Sequence, residues 1–207
     1  MFACKNAHLL RGRGTIKSIS SKVPHGYAAM DKETLLNKSD AFVFDCDGVI
    51  WKGDTLIPGV REVLEKLRKI GKSVFFVTNN STKSRIGYMD KFTSLGLHVR
   101  EHEIFTSSYA AAVELQRNPL DDGQQVYVLG ESGICDELDQ LGIKHCGGPS
   151  DAGKVPVGDC EHIPNVGAVV VGLDRAISYY KIQTAQLCLQ DPKCRFIATN
   201  ADATAHL

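Results

Sequence analysis

The sequence predicts an α/β fold built on parallel strands, and three observations carry that prediction. Short runs of bulky apolar residues recur along the chain, at 42–44, 74–77, 126–129 and 168–171. Segments with the apolar spacing of a helix lie between them. Each run ends in small or polar residues, as the strands of a parallel sheet do at the edge that carries ligands.

The elements follow in order. Phe42-Val43-Phe44 reads as a short strand buried on both faces. Asp45 and Asp47 stand where it should end, and Gly48 lets the backbone turn directly after them. Val60, Val63, Leu64 and Leu67 share one helical face, with Pro58 suited to the start and Gly71 to the C-terminal cap. Val74 to Val77 form a second buried strand running into Thr78-Asn79-Asn80-Ser81. Ile86, Met89, Phe92 and Leu95 predict a second helix, stopped by Gly96. Parallel strands require right-handed crossovers, so Asp45/Asp47 and Thr78/Asn79 are expected at one edge of one sheet. A further set follows: a strand over 126–129, a short helix marked by Ile134, Leu138 and Leu141, and a loop over 147–166. Then come a strand over 168–171, a helix marked by Ile182, Ala185 and Leu189, and a final strand over 195–199. No internal repeat is present.

Composition narrows the function classes. The chain has 207 residues, enough for one large domain or two small ones. At 43% hydrophobic and 23% charged it has the make-up of a soluble protein with a real core. No apolar run is long enough to span a bilayer, so no membrane partner is expected. Residues 1–30 carry five basic residues and no acid, which leaves 19 basic against 24 acidic residues beyond them. A mildly acidic body argues against a nucleic-acid partner. The basic, serine-bearing head has the composition of an organelle transit peptide; a tail that lacks acids is the plainer alternative. Seven cysteines without a C-x-x-C pair fit reduced thiols in an intracellular compartment. Strand alternation points Cys46 away from its acidic neighbours, so it is expected to pack rather than react.

Two carboxylates two residues apart repel each other, so their placement suggests a cation, a shared proton or two separate jobs. A calcium loop is excluded, because the fifth, sixth and twelfth positions counted from Asp45 are Val49, Ile50 and Leu56. A turn with capping acids is a structural alternative. The chemical reading is phosphoryl transfer. One carboxylate attacks phosphorus, and the other protonates the leaving oxygen and later deprotonates water. A magnesium ion would offset the accumulated negative charge. Thr78-Asn79-Asn80 could cap the following helix, or present a hydroxyl and amides to an anion. Other signals are set aside. Gly148 to Lys154 lacks the Ser/Thr of a phosphate loop, since Val155 stands there. The glycines of Gly130-Glu131-Ser132-Gly133 read as a strand-to-helix turn. Cys135, His145, Cys146, Cys160 and His162 match no zinc spacing.

Asp45-x-Asp47-Gly-Val-Ile-Trp51, followed after the next strand by Val77-Thr78-Asn79-Asn80-Ser81, resembles the haloacid dehalogenase-like phosphatase superfamily. Phe44 to Gly53 and Thr78 to Arg85 are similar to the phosphoglycolate phosphatases of plants and algae. So are Val169 to Gly172, Asp174-Arg175, Tyr179-Tyr180-Lys181 and Phe196 to Asn200. The resemblance spans about residues 36 to 207. It implies a Rossmann-like parallel-sheet core, incomplete in this sequence, with an inserted α/β cap domain. The expected divisions are a basic segment at 1–36, the first half of the core at 37–108 and the cap at 109–207. Asp45 matches the nucleophile. Asp47 matches the general acid/base and is implied to give its backbone carbonyl to Mg²⁺, with Asp45 the other implied ligand. Thr78, Asn79 and Asn80 match the residues that hold the substrate phosphoryl group. Val49 to Asp54 matches a flap, in which Trp51 either shields the site from water or packs. His206, after the last strand, either reaches a substrate carboxylate or is a solvated loop histidine.

The resemblance implies hydrolysis of 2-phosphoglycolate, in a plant or alga a step of photorespiration. Pyridoxal phosphate or other small phosphomonoesters are the alternative substrates, and an inactive binding subunit is the alternative role. A homodimer through the cap and a chloroplast location, with cytoplasm as the alternative, are also implied. Relatives carry a phosphate-binding lysine and a Gly-Asp-x-x-x-x-Asp metal segment after the cap, and neither occurs before Leu207. A fragment, a shortened gene product and a pseudo-enzyme are the three expectations this leaves. Each would show an unpaired sheet edge and uncovered apolar faces.

Overall fold

A computed structural model describes residues 31–156 and 163–202. The chain divides into two units, Met1–Asp40 and Ala41–Leu207. In the first unit α1 (Lys32–Lys38) is capped by Asp31, whose carboxylate accepts the Thr34 amide at 2.9 Å. The expected boundary at residue 36 falls inside this helix. The transit-like head lies outside the described residues.

The second unit opens with β1 (Ala41–Asp45), then a hairpin of β2 (Trp51–Lys52) and β3 (Thr55–Leu56). After it come α2 (Val60–Lys69), β4 (Ser73–Thr78), α3 (Arg85–Ser94) and β5 (Ile104–Thr106). The three longer-range strands form a parallel sheet in the order β1-β4-β5. Each step moves the same way along the sheet, so right-handed crossovers lay α2 and α3 on one face. That face is aromatic. Phe92 lies 4.6 Å from Phe76 and 4.9 Å from Trp51 between ring centroids, and Phe76 is within 6.3 Å of Phe44. The opposite face carries no described helix. Val43 there is 64% exposed, Val77 41% and Phe105 40%. The expectation that residues 42–44 are buried on both faces is therefore wrong: both available helices lie on the same side. β1 is also an unpaired edge among the described strands.

Two helix faces differ from their sequence-based assignment. In α2, Leu64 and Leu67 are buried but Val63 is exposed. In α3 the buried pair is Tyr88 and Phe92, four residues apart, and Ile86 is exposed. The spacing rule ranked Ile above Tyr, whereas the packing selects the aromatic that reaches the Trp51 ring.

A second parallel sheet follows α4 (Ser107–Arg117). Its elements are β6 (Gln125–Leu129), α5 (Ser132–Gln140), β7 (His145–Gly147), β8 (Val166–Val171), α6 (Tyr179–Cys188) and β9 (Arg195–Ala198). The strand order is β7-β6-β8-β9, all parallel. The cluster of Val126, Val128, Ile134, Leu138, Ala168 and Val170 fills one side; Tyr127, Val169, Ala185 and Cys188 fill the other. This is the near-continuous apolar strand pattern of a sheet covered on both faces. The expected loop over 147–166 includes a helical turn at Gly148–Asp151. There buried Asp151 accepts the Tyr127 hydroxyl at 2.9 Å and the Lys154 ammonium at 2.6 Å. α6 buries Lys181 rather than Ile182, with the ammonium 2.7 Å from Asp174 Oδ2. No described helix is long and apolar enough to cross a membrane.

Candidate active site

Parallel pairing sets the first fact about the site. Asp45 is the last residue of β1 and lies opposite Val77, so Thr78 at the end of β4 is the next residue along that edge. Thr78 in turn is paired with Thr106 on β5. The carboxyl ends of three adjacent strands thus carry Asp45, Thr78 and Thr106, where ligands bind in open α/β sheets.

Asp45 is exposed, and its Oδ1 accepts the Cys46 amide at 2.7 Å. That bond fixes the carboxylate against its own backbone and leaves Oδ2 without a hydrogen-bond partner among the described residues. The chain then turns tightly. The Cys46 carbonyl accepts from the amides of Val49, Ile50 and Trp51, and Gly48, at φ 81°, donates to the Trp51 carbonyl at 2.7 Å. The loop returns Trp51 beneath Asp47, and the indole Nε1–H donates to Asp47 Oδ1 at 2.8 Å. Trp51 has no exposed surface, so it is a core residue as well as a hydrogen-bond donor. Cys46 is equally buried and burial pushes its thiol above the ordinary cysteine range, with the charges of Asp47 and Asp45 adding to the effect. It packs, as expected, although it lies in the turn just beyond β1.

Tyr88 is a residue of this candidate site that sequence reasoning missed. Its ring stacks on Trp51 with centroids 6.1 Å apart and an interplanar angle of 19°. Burial raises the pKa of its hydroxyl, and the neighbouring Thr78 side chain acts in the opposite direction. One aromatic pair thus joins the acidic loop to the Thr78 turn. The available signal was the i, i+4 spacing of Tyr88 and Phe92, which the aliphatic stripe obscured.

Thr78 is buried, and its Oγ1 accepts the Asn80 amide at 3.2 Å. Asn80 Oδ1 accepts the Thr82 amide at 2.9 Å, giving a run of side-chain-closed turns. This segment does not cap α3. The cap is Ser84, which accepts the Gly87 amide at 3.4 Å, so the capping alternative is corrected. Asn79 is held at two points. Ser107 donates to its carbonyl at 2.8 Å, and its Nδ2 donates to Asp202 Oδ2 at 2.9 Å. Its side-chain amide is therefore engaged by the segment after β9 rather than standing free. His206 lies outside the described residues.

Asp45 and Asp47 are both exposed carboxylates on one loop, and no larger group of metal-binding side chains occurs among the described residues. Mg²⁺ is commonly held by one or two carboxylates, with water and substrate phosphate completing its shell. The donor set fits that pattern. The arrangement can present a carboxylate oxygen to an electrophile and offers a second carboxyl group two residues further along the loop for proton transfer. It can also offer a buried hydroxyl one strand away.

A family model described as haloacid dehalogenase-like hydrolase matches residues 42–144. The chain is 49% identical over 200 residues to phosphoglycolate phosphatase 1A, chloroplastic, of Arabidopsis thaliana, covering 94% of this chain and 55% of that protein. It is 39% identical over 180 residues to the glycerol-3-phosphate phosphatase of Homo sapiens, covering 82% and 56%. The p-nitrophenyl phosphatase from Archaeoglobus fulgidus superposes with a TM-score of 0.65 at 33% identity, over 79% of this chain and 56% of that one. The chain thus spans little more than half the length of these relatives.

Proposed function

The chain belongs to the haloacid dehalogenase-like hydrolases, and on that premise we propose that it serves hydrolysis of a small phosphomonoester, 2-phosphoglycolate, to glycolate and phosphate. The observation that carries this reading is the convergence of Asp45, Asp47 and Thr78 at neighbouring strand ends of one sheet, in a chain so similar to a phosphoglycolate phosphatase.

In this reading the open Oδ2 of Asp45 attacks phosphorus and the P–O bond to glycolate breaks. Asp47 gives its proton to the departing oxygen, leaving an aspartyl-phosphate on Asp45. Asp47, now a base, takes a proton from water as that water attacks phosphorus. The P–O bond to Asp45 breaks, and both carboxylates return to their starting state. General acid–base help of this kind is worth about 10²–10⁴-fold. The Trp51 indole holds Asp47 in one orientation while leaving Oδ2 free for the proton. Thr78 Oγ1 stands one strand away to bind the phosphoryl oxygens. Mg²⁺, held by the Asp45 carboxylate and the Asp47 backbone carbonyl, would neutralise charge on the phosphate when bound. We place this activity in the chloroplast, because the Arabidopsis relative is named chloroplastic and the head has transit-like composition.

The test is phosphate release from 2-phosphoglycolate. It is to be measured for this chain, and for a chimera that appends the lysine and metal-binding segments expected after the cap. Asp45→Asn should abolish release; release that survives it overturns the covalent route. The name of the human relative favours a second reading, in which glycerol-3-phosphate is the better substrate. Faster turnover of glycerol-3-phosphate or pyridoxal phosphate under matched conditions would decide for other phosphomonoesters. No Mg²⁺-dependent release from any of them would leave a binding subunit.

A further inference from the structure

The second sheet has a topological switch point. From β6 the chain crosses to β7 on one side, and from β8 it crosses to β9 on the other, while β6 and β8 are neighbours. In open parallel sheets the crevice outside the carboxyl ends of two such strands is where a ligand binds. Here the crevice lies between Gly130, after β6, and Gly172, after β8, whose amide donates to the Leu129 carbonyl at 2.9 Å. α5 starts beside it.

The crevice is filled by the chain itself. The Gly133 amide in the first turn of α5 donates to the Thr82 carbonyl at 3.2 Å, and the Leu173 amide donates to Ser81 Oγ at 3.3 Å. Ser81 is 1% exposed. The fit is close enough to exclude side chains. A Cβ on Gly133 would lie 2.5 Å from the Lys83 nitrogen and 2.6 Å from its Cα, and a Cβ on Gly172 would collide with Ser81 Oγ. The C-terminal end of the same segment is gripped too. Fully buried Glu137 of α5 accepts the Arg85 backbone amide at 2.5 Å and the Arg85 Nε–H at 3.0 Å, and Ser108 donates to the Lys83 carbonyl at 3.1 Å.

We propose that this switch-point crevice is a clasp that sets the position of the phosphate-site loop. Gly133 and Gly172 are positioning residues that admit Ser81–Lys83, and Glu137 anchors the exit of the loop at Arg85. The segment held is the continuation of Thr78-Asn79-Asn80, so the second sheet acts on the site through the backbone it grips. The clasp deepens the phosphatase reading and rests on it for its catalytic consequence.

The experiment compares the parent chain with Gly133→Ala, and with Gly87→Ala as a control whose added Cβ meets only an ordinary contact at 3.4 Å. Hydrogen exchange is read at the amides of 79–85, β6 and β8. Gly133→Ala should speed exchange over 79–85 by at least about tenfold while β6 and β8 keep their protection. Unchanged loop exchange, or a rise no greater than in β6 and β8, overturns the clasp. Should Gly133→Ala fail to fold, the cycle of Gly172→Ala with Ser81→Ala decides. Removing the Ser81 hydroxyl should restore most of the loop protection lost in Gly172→Ala, and additive effects overturn the proposal. Turnover of 2-phosphoglycolate by the chimera separates the two readings. A silent parent rejects the phosphatase reading while exchange still tests the clasp. With an active parent, the loosened loop should lower kcat by about tenfold or more with little change in KM; an unchanged kcat removes the positioning role.

Discussion

Trp51 donates its indole N–H to Asp47 Oδ1 at 2.8 Å from a fully buried position, so a core side chain orients the second acid of the site. Its ring is packed edge-on against Phe92, stacked on Tyr88 and faced by the Lys91 ammonium at 4.6 Å. The orientation of Asp47 is thereby fixed by the same packing that closes the aromatic face of the first sheet. Trp51→Phe should retain much of the packing and lose the donor. We expect turnover by the proposed enzyme to fall by roughly ten- to a hundredfold, since small misplacements of a catalytic group cost up to about that much. Steady-state kinetics beside a thermal melt checks this; a loss of stability equal to that of Trp51→Ala with no loss of turnover would contradict it.

Tyr88→Phe should preserve the stack on Trp51 and remove the hydroxyl next to Thr78. Loss of a buried polar contact costs about 0.5–1.5 kcal/mol, so a stability loss of that order is expected in urea titrations. Turnover should fall with it, because the Thr78 side chain loses a polar neighbour beside the Asn80 amide.

The Lys181–Asp174 pair is almost wholly buried, at 1% and 2% side-chain exposure. Asp174 also accepts the Ala176 amide at 2.9 Å. Lys181→Met would leave the carboxylate without its partner, and about 3–5 kcal/mol of stability should be lost. Lys181→Met with Asp174→Asn should recover part of that loss, as measured by equilibrium denaturation.

Cys135, Cys146 and Cys188 have their thiol pKa values raised by burial to about 11, from an ordinary value of 9.0. The folded state then holds protons that the unfolded state releases at lower pH. The associated stability is complete below about pH 9 and is lost as pH rises towards 11. Urea midpoints should fall across that window, and replacement of the three thiols by alanine should flatten the slope. Alkylation at neutral pH should be slow until the chain unfolds.

Much of this arrangement was legible in the sequence. The β1 and β4 runs, the acidic loop and the Thr78 turn all have local signatures, because strand hydrophobicity and turn chemistry are short-range properties. β5 and β7 escaped notice, since three residues such as Ile104-Phe105-Thr106 show no period to read. Lys181 ran against the pattern altogether: an isolated lysine predicts a solvated face, and only the Asp174 carboxylate brought to it by the fold makes burial affordable.

The sequence by itself determined that this is an α/β chain with paired carboxylates at one strand end and a hydroxyl-bearing turn at the next. Those features follow from side chains within a few residues of each other. Only the tertiary structure decided which aromatic would couple the two motifs, which face of the first sheet stays uncovered and which crevice seats Ser81–Lys83. Such relationships join residues tens of positions apart, and they depend on crossover handedness and close packing, which no local pattern encodes.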